Sequence, residues 1–80
     1  LDHFLGRVER FHPQLSAVVV RDVERARAEA RTLDGGAGEG PLRGVPMTVK
    51  ESYDVAGLPT TWGVQGYETN LASRDALAVE

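Results

Sequence analysis

The chain has no cysteine, which removes both a disulfide framework and thiolate chemistry. Of its nine basic residues only one is lysine; the rest are arginine. No apolar run approaches the ~18 residues of a membrane span, and no charged-then-apolar signal peptide opens the sequence. The two histidines, His3 and His12, have no carboxylate cluster around them. Nine positions separate them on one side of a helix, so shared metal ligation is not expected. The net charge is −3, and the arginines alternate with acids, as in Arg21-Asp22 and Glu24-Arg25, which argues against a nucleic-acid surface. From these absences we expect a soluble, cytoplasmic protein with no direct nucleic-acid or membrane partner and no metal.

Eighty residues make one small domain at most, or a piece of a larger one. A domain of this size buries only about 60–65% of its unfolded surface. Small domains often offset that thin margin with disulfides or a metal, and neither is offered here. Leu1 rather than methionine stands first, and the last residues read as a helix barely begun. We therefore expect residues 1–80 to be an N-terminal fragment of a single larger domain.

Leu1, Phe4, Leu5, Val8 and Phe11 follow helical spacing, which predicts an amphipathic helix from residue 1 to about 12, ended by Pro13. Leu15 to Val20 (LSAVVV) is short and rich in β-branched residues, as a strand would be. Asp22 is a suitable N-cap for a second helix, with Glu24 in its first turn. Val23, Ala26, Ala30 and Leu33 form the apolar stripe of that helix, and Asp34-Gly35-Gly36 stops it. Residues 35–44 (GGAGEGPLRG) hold five glycines and one proline, the composition of a flexible connection. A nucleotide-binding loop would need a strand before the glycines and a helix after them. The order here is reversed, so nucleotide binding is rejected.

Val45 to Lys50 predicts a second strand, with Val45, Met47 and Val49 on one face and Pro46, Thr48 and Lys50 on the other. Glu51 to Gly66 is a long stretch of turn signals that contains Thr60, Thr61 and Trp62. Ser73 is a plausible N-cap for a last helix, with Asp75 in its first turn and Ala76 and Val79 inward. The expected order is helix, strand, helix, strand, long loop and helix start.

Three serines are present, Ser16, Ser52 and Ser73, and none lies in a Gly-x-Ser-x-Gly elbow. Glu51 and Asp54 could be imagined as a carboxylate pair, but solvated loop acids are the better description of both. The lone lysine has two readings. A lysine held in a dry place can lose its proton and act as a base, which arginine cannot. A lysine at a strand end more commonly just reaches water, and an arginine bias can reflect genome composition. By count alone the second reading is favoured.

The stretch GPLRGVPMTVKESYDVAGLPTTWG, beginning at Gly40, resembles the N-terminal segment of the amidase signature family. Its usual form is Gly-Pro-Leu-x-Gly-(Val/Ile)-Pro, an apolar strand ending in Val-Lys-(Asp/Glu), and a loop with a Gly and a Thr pair. The flanking elements resemble the family in the same order, so the likeness covers the whole chain and is densest over residues 40–63. It implies an α/β fold, the mixed-sheet α/β/α type, with a signature segment over residues 40–66. It also implies a Ser–cis-Ser–Lys hydrolase that cleaves carboxamide C–N bonds, with Lys50 matching the general base and no cofactor required. The glycine-and-serine-rich motif that supplies both serines and the oxyanion donors is absent from these residues. Neither Ser52 nor Ser73 matches it.

The fragment alone is therefore expected to be inactive. Two other readings remain: a non-catalytic truncated remnant, and part of the glutamine-hydrolysing subunit of a tRNA-dependent amidotransferase. The small-molecule amide, the oligomeric state and any substrate-binding role for Tyr53 or Trp62 are left open.

Overall fold

The structure, a computed structural model, describes all of residues 1–80. Its chain forms two compact units, Leu1–Met47 and Thr48–Glu80. The first holds both helices, α1 (Asp2–Leu15) and α2 (Val23–Asp34); the second is built from turns. Neither helix is long and apolar enough to cross a membrane.

Helix α1 runs further than its proline suggested. Pro13 lies inside the helix. It has no N–H to give to the carbonyl four residues back, so one bond is lost. Less than a turn of helix remains beyond it, and the Ser16 N–H closes that turn on the His12 carbonyl at 2.8 Å. Ser16 itself adopts a left-handed conformation (φ 46, ψ 36) and ends the helix. The half-buried stripe is Leu1, Leu5, Val8 and His12. Phe4 and Phe11, expected inward, are exposed, and Phe11 lies under the Arg7 and Arg10 guanidinium groups at 5.9 and 5.1 Å from its ring centre.

Helix α2 follows its sequence more closely. Val23, Ala26, Ala30 and Leu33 are all half-buried, as their spacing predicts. Asp22 occupies the N-cap, but its carboxylate makes no capping bond. It pairs instead with Arg25 Nε at 2.6 Å. Arg21–Glu9 (2.7 Å) and Arg27–Asp2 (3.4 Å) tie the start and middle of this region to α1. Each such exposed pair contributes about 0–1 kcal/mol. The two helices share no packed face, and no apolar residue of the chain is fully buried.

The glycine-rich connection folds back on α2. The Arg43 side chain donates from Nε to the Ala37 carbonyl at 3.0 Å and from Nη2 to the Leu33 carbonyl. A cation at the C-terminal end of a helix satisfies a free carbonyl and opposes the helix dipole. Gly38 lies within this closure at φ +77, where an added Cβ would meet Leu33 Cδ2 at 2.9 Å. Gly38→Ala is therefore expected to destabilise the connection by about 1–2 kcal/mol, the cost of a left-handed L-residue. Gly6, inside α1, has nothing within 4 Å of a built Cβ, and Gly6→Ala should raise helicity, by ~1 kcal/mol. Thermal melts followed by circular dichroism should show the two alanines acting in opposite directions.

Both expected strands are absent. Residues 15–20 instead supply the end of α1 and an unpaired segment, and residues 45–50 form no regular element and have no strand beside them. A β-branched or alternating segment becomes a strand only when a second segment satisfies its N–H and C=O groups. Val45, Met47 and Val49 are correspondingly exposed. The sole bridge in the structure is antiparallel, between Pro59 and Leu71. Around it, the Gly57 N–H donates to the Ala72 carbonyl (2.9 Å) and the Ala72 N–H to the Leu58 carbonyl (3.0 Å). The Thr60 N–H donates to the Asn70 carbonyl at 3.0 Å. Pro59 has no N–H, which limits this ribbon to a single bridge.

The expected last helix is likewise a run of turns at residues 77–79. Ser73 caps no helix. Asp75, expected in a first helical turn, instead accepts the Ala56 N–H at 2.7 Å. Ala76 and Val79 are half-buried as expected, while Leu77 is 88% exposed.

Candidate active site

Lys50 opens a turn in the second unit, where its carbonyl accepts the Tyr53 N–H at 2.9 Å. Its side chain is exposed, and Nζ donates to Ser52 Oγ at 3.3 Å. Among the serines, this brings Ser52 to the lysine. Ser73 is exposed on the downstream turns, and Ser16 ends α1.

The residue after Lys50 is the best-anchored acid in this unit. Both oxygens of Glu51 accept backbone N–H groups, Oε1 from Thr61 at 2.5 Å and Oε2 from Trp62 at 2.8 Å. Hydrogen bonds from Thr61 first, and then from the Trp62 backbone and the nearby Lys50 charge, hold its carboxyl below the ordinary glutamate value of 4.5. Glu51 is thus no free loop acid, as its place among turn residues had suggested.

The segment that Glu51 grips is a tight turn. The Val64 N–H returns to the Thr61 carbonyl at 2.9 Å, and the two central residues have φ +55 (Trp62) and +71 (Gly63). Positive φ at both positions defines a type I′ turn, which favours Gly, Asn or Asp over a bulky residue. A tryptophan there carries backbone strain of order 1–2 kcal/mol, yet its side chain is 71% exposed and recovers little of that by burial. The bonds to the Glu51 carboxylate, and a bond from the Gly63 N–H to Thr61 Oγ1 at 3.1 Å, hold the turn in place.

Thr60, one residue before this turn, is the chain's single buried residue, 4% exposed. Its backbone is fixed from both sides by Asn70, through the Thr60 N–H noted above and through Asn70 Nδ2, which donates to the Thr60 carbonyl at 2.8 Å. Thr60 Oγ1 is buried without a partner, a situation that costs about 1–3 kcal/mol. Thr60→Val keeps the shape and removes the orphan hydroxyl. In the complete protein it is expected to raise the thermal midpoint, whereas Thr60→Ala, which leaves a gap, should lower it. Asn70 carries no sequence signal of its role. It was legible only as one polar residue among turns.

Protonating Glu51 breaks its grip, and the direction in pH follows. A carboxyl lowered in the folded state stabilises it at every pH above the unfolded value, and that contribution fades as pH falls below about 4.5 toward the lowered folded value. Trp62 fluorescence titrated downward through this window should report the release. The transition should vanish in Glu51→Gln.

No three histidine, aspartate or glutamate side chains gather as a metal site would require. What the geometry presents is a lysine on a turn whose neighbouring carboxylate is bonded to a second, strained turn.

The sequence matches known proteins along its whole length. The amidase family model covers residues 1–80. The chain is 37% identical over 80 residues to an acylamidase of Rhodococcus erythropolis, covering 95% of this chain and 17% of that protein. It is 42% identical over 71 residues to an amidase of Pseudomonas putida, covering 85% and 15% respectively. It is also 40% identical over 78 residues to a glutamyl-tRNA(Gln) amidotransferase subunit of Nitratidesulfovibrio vulgaris (strain DP4), covering 95% and 16%. The chain thus spans about a sixth of the length of the curated relatives it matches. No solved structure matches it. With the family model matched from the first residue to the last, and with relatives of that name aligned across the Lys50 turn, this chain belongs to the amidase family.

Proposed function

We propose that the complete protein hydrolyses a carboxamide C–N bond through an acyl-serine intermediate, with Lys50 as the general base. The observation that carries this reading is the register of residues 40–63, where the one lysine of the chain stands where the family places its base. The printed names of two relatives, acylamidase and amidase, support the reaction class. Neutral Lys50 takes a proton from a bridging serine, which takes one from the nucleophilic serine as that oxygen attacks the carbonyl. The proton returns to the departing amine, and water then releases the acyl group by the same path in reverse. The chemistry needs neither a metal nor an organic cofactor.

The two serines and the oxyanion donors of this relay are not among residues 1–80, so these residues by themselves should not turn over an amide. Lys50 is solvent-exposed here; a working base needs the dry surroundings that the rest of an amidase domain would supply. In the same domain, residues 15–20 and 45–50 would find the strands they lack here, giving the mixed-sheet α/β/α fold. The substrate is a small-molecule amide.

Ser52, although bonded to Lys50, is outside this relay, and Ser52→Ala in the complete enzyme should keep kcat within about threefold. A loss comparable to that of the Lys50 variant would replace the proposed mechanism with one centred on Ser52. A second reading draws on the matched glutamyl-tRNA(Gln) amidotransferase sequences: glutamine hydrolysis within a multi-subunit assembly. Assays against a panel of simple amides and against glutamine, with and without partner subunits, separate the two. Activity on simple amides without partners supports the first; glutaminase activity that appears only with partners supports the second. Complete inactivity in both would favour a non-catalytic remnant.

A further inference from the structure

We propose that Glu51 is a positioning residue, whose carboxylate fixes the Lys50 backbone by anchoring it to the turn at Thr61 and Trp62. The inference rests on the reading of Lys50 as the base and adds a residue that the relay itself does not contain. Three observations carry it. The carboxylate has both oxygens committed to backbone N–H groups ten and eleven residues away, at 2.5 and 2.8 Å. The segment it grips is itself fixed, because it follows directly on buried Thr60, which Asn70 holds by both its N–H and its carbonyl. And the gripped turn contains a strained residue, Trp62 at φ +55, a conformation that persists only where the surroundings over-determine it.

The physical consequence concerns reach. A lysine stem has four rotatable carbons, so the direction of the amine depends on where its Cα is held. On its upstream side the Lys50 segment has no regular element and no strand partner. Downstream, its carbonyl closes the 50–53 turn, and Glu51 is the side chain that ties this turn to the rest of the unit. Losing the tie lets the base drift, and a displacement of about 1 Å at a reacting group can cost ~10²-fold in rate. A glutamine at position 51 matches the size of glutamate, but only one of its two terminal atoms accepts a hydrogen bond; the other presents N–H against N–H.

The test is a double-mutant cycle in the complete enzyme with Glu51→Gln, Lys50→Ala and the pair. Glu51→Gln is expected to lower kcat ~10–100-fold with KM changed less than about threefold, because the base and not the substrate is displaced. Adding it to Lys50→Ala should cost nothing further, since there is no longer a base to position. Additive losses, or unchanged kcat in Glu51→Gln, would overturn the proposal while leaving Lys50 as the base. Unchanged activity in Lys50→Ala would instead remove the reading on which the proposal rests. If circular dichroism shows Glu51→Gln unfolded, Glu51→Asp takes its place in the same cycle. It keeps the charge and shortens the reach by one methylene, and an additive loss in that cycle counts equally against the positioning role.

Discussion

Lys50→Ala in the complete enzyme is expected to lower kcat for amide hydrolysis by ~10²–10⁴-fold, the range that a positioned general base contributes. The loss should appear in kcat and kcat/KM together, because the base acts in the transition state and not in holding the substrate. Lys50→Arg should be no better. Arginine preserves the charge and much of the reach but stays protonated at any working pH, so it cannot accept the proton. This pair of variants separates chemistry from electrostatics: if arginine restored the rate, position 50 would be serving as a cation, and the proton-transfer role would be wrong. Full activity in the alanine variant would exclude Lys50 altogether.

The polypeptide of residues 1–80 by itself should show no amidase activity and no cooperative unfolding. The physical argument is burial. No apolar residue is fully buried, so the hydrophobic term that normally offsets chain entropy is largely missing. Helices of 14 and 12 residues that share no packed face are marginal in water. A shallow, probe-dependent loss of helix signal on heating is expected, together with binding of a hydrophobic dye at exposed residues such as Leu42, Val45 and Met47. A sharp calorimetric transition approaching ~50 kcal/mol, the enthalpy usual for a folded domain of this length, would falsify this. Any turnover by the 80-residue chain would place a nucleophile within it and make Ser52 the first residue to test.

Local signals in the sequence were reliable where the structure they describe is local. The stripe of Val23, Ala26, Ala30 and Leu33 sits on one half-buried face of α2, and Asp22 and Gly35 mark its ends. Pro13 misled by only a few residues, because a proline in the last turn removes one bond and leaves the others intact. The strand expectations at 15–20 and 45–50 did not form, because a strand is a relation between two segments and the sequence of one specifies only half of it. The candidate site divides the same way. The family was legible from register, since two dozen aligned positions identify it without any geometry, and the role of Lys50 within that register is the proposal made above. Glu51, its neighbour, looked like a loop acid because its partners are the backbone N–H groups of Thr61 and Trp62, which have no side-chain signature.

By itself, then, the sequence determined the two helices, the chemistry excluded by the missing cysteine, the family, and the lysine in its register. Those properties depend on residue type and short-range spacing. Only the tertiary structure decided that Glu51 joins the Lys50 turn to a strained turn, that Asn70 secures Thr60, and that Arg43 closes the glycine-rich connection on α2. Each of these is a bond between a side chain and a backbone group ten residues or more away. Every residue offers the same backbone N–H and C=O, so nothing in the order of side chains says which one will be met.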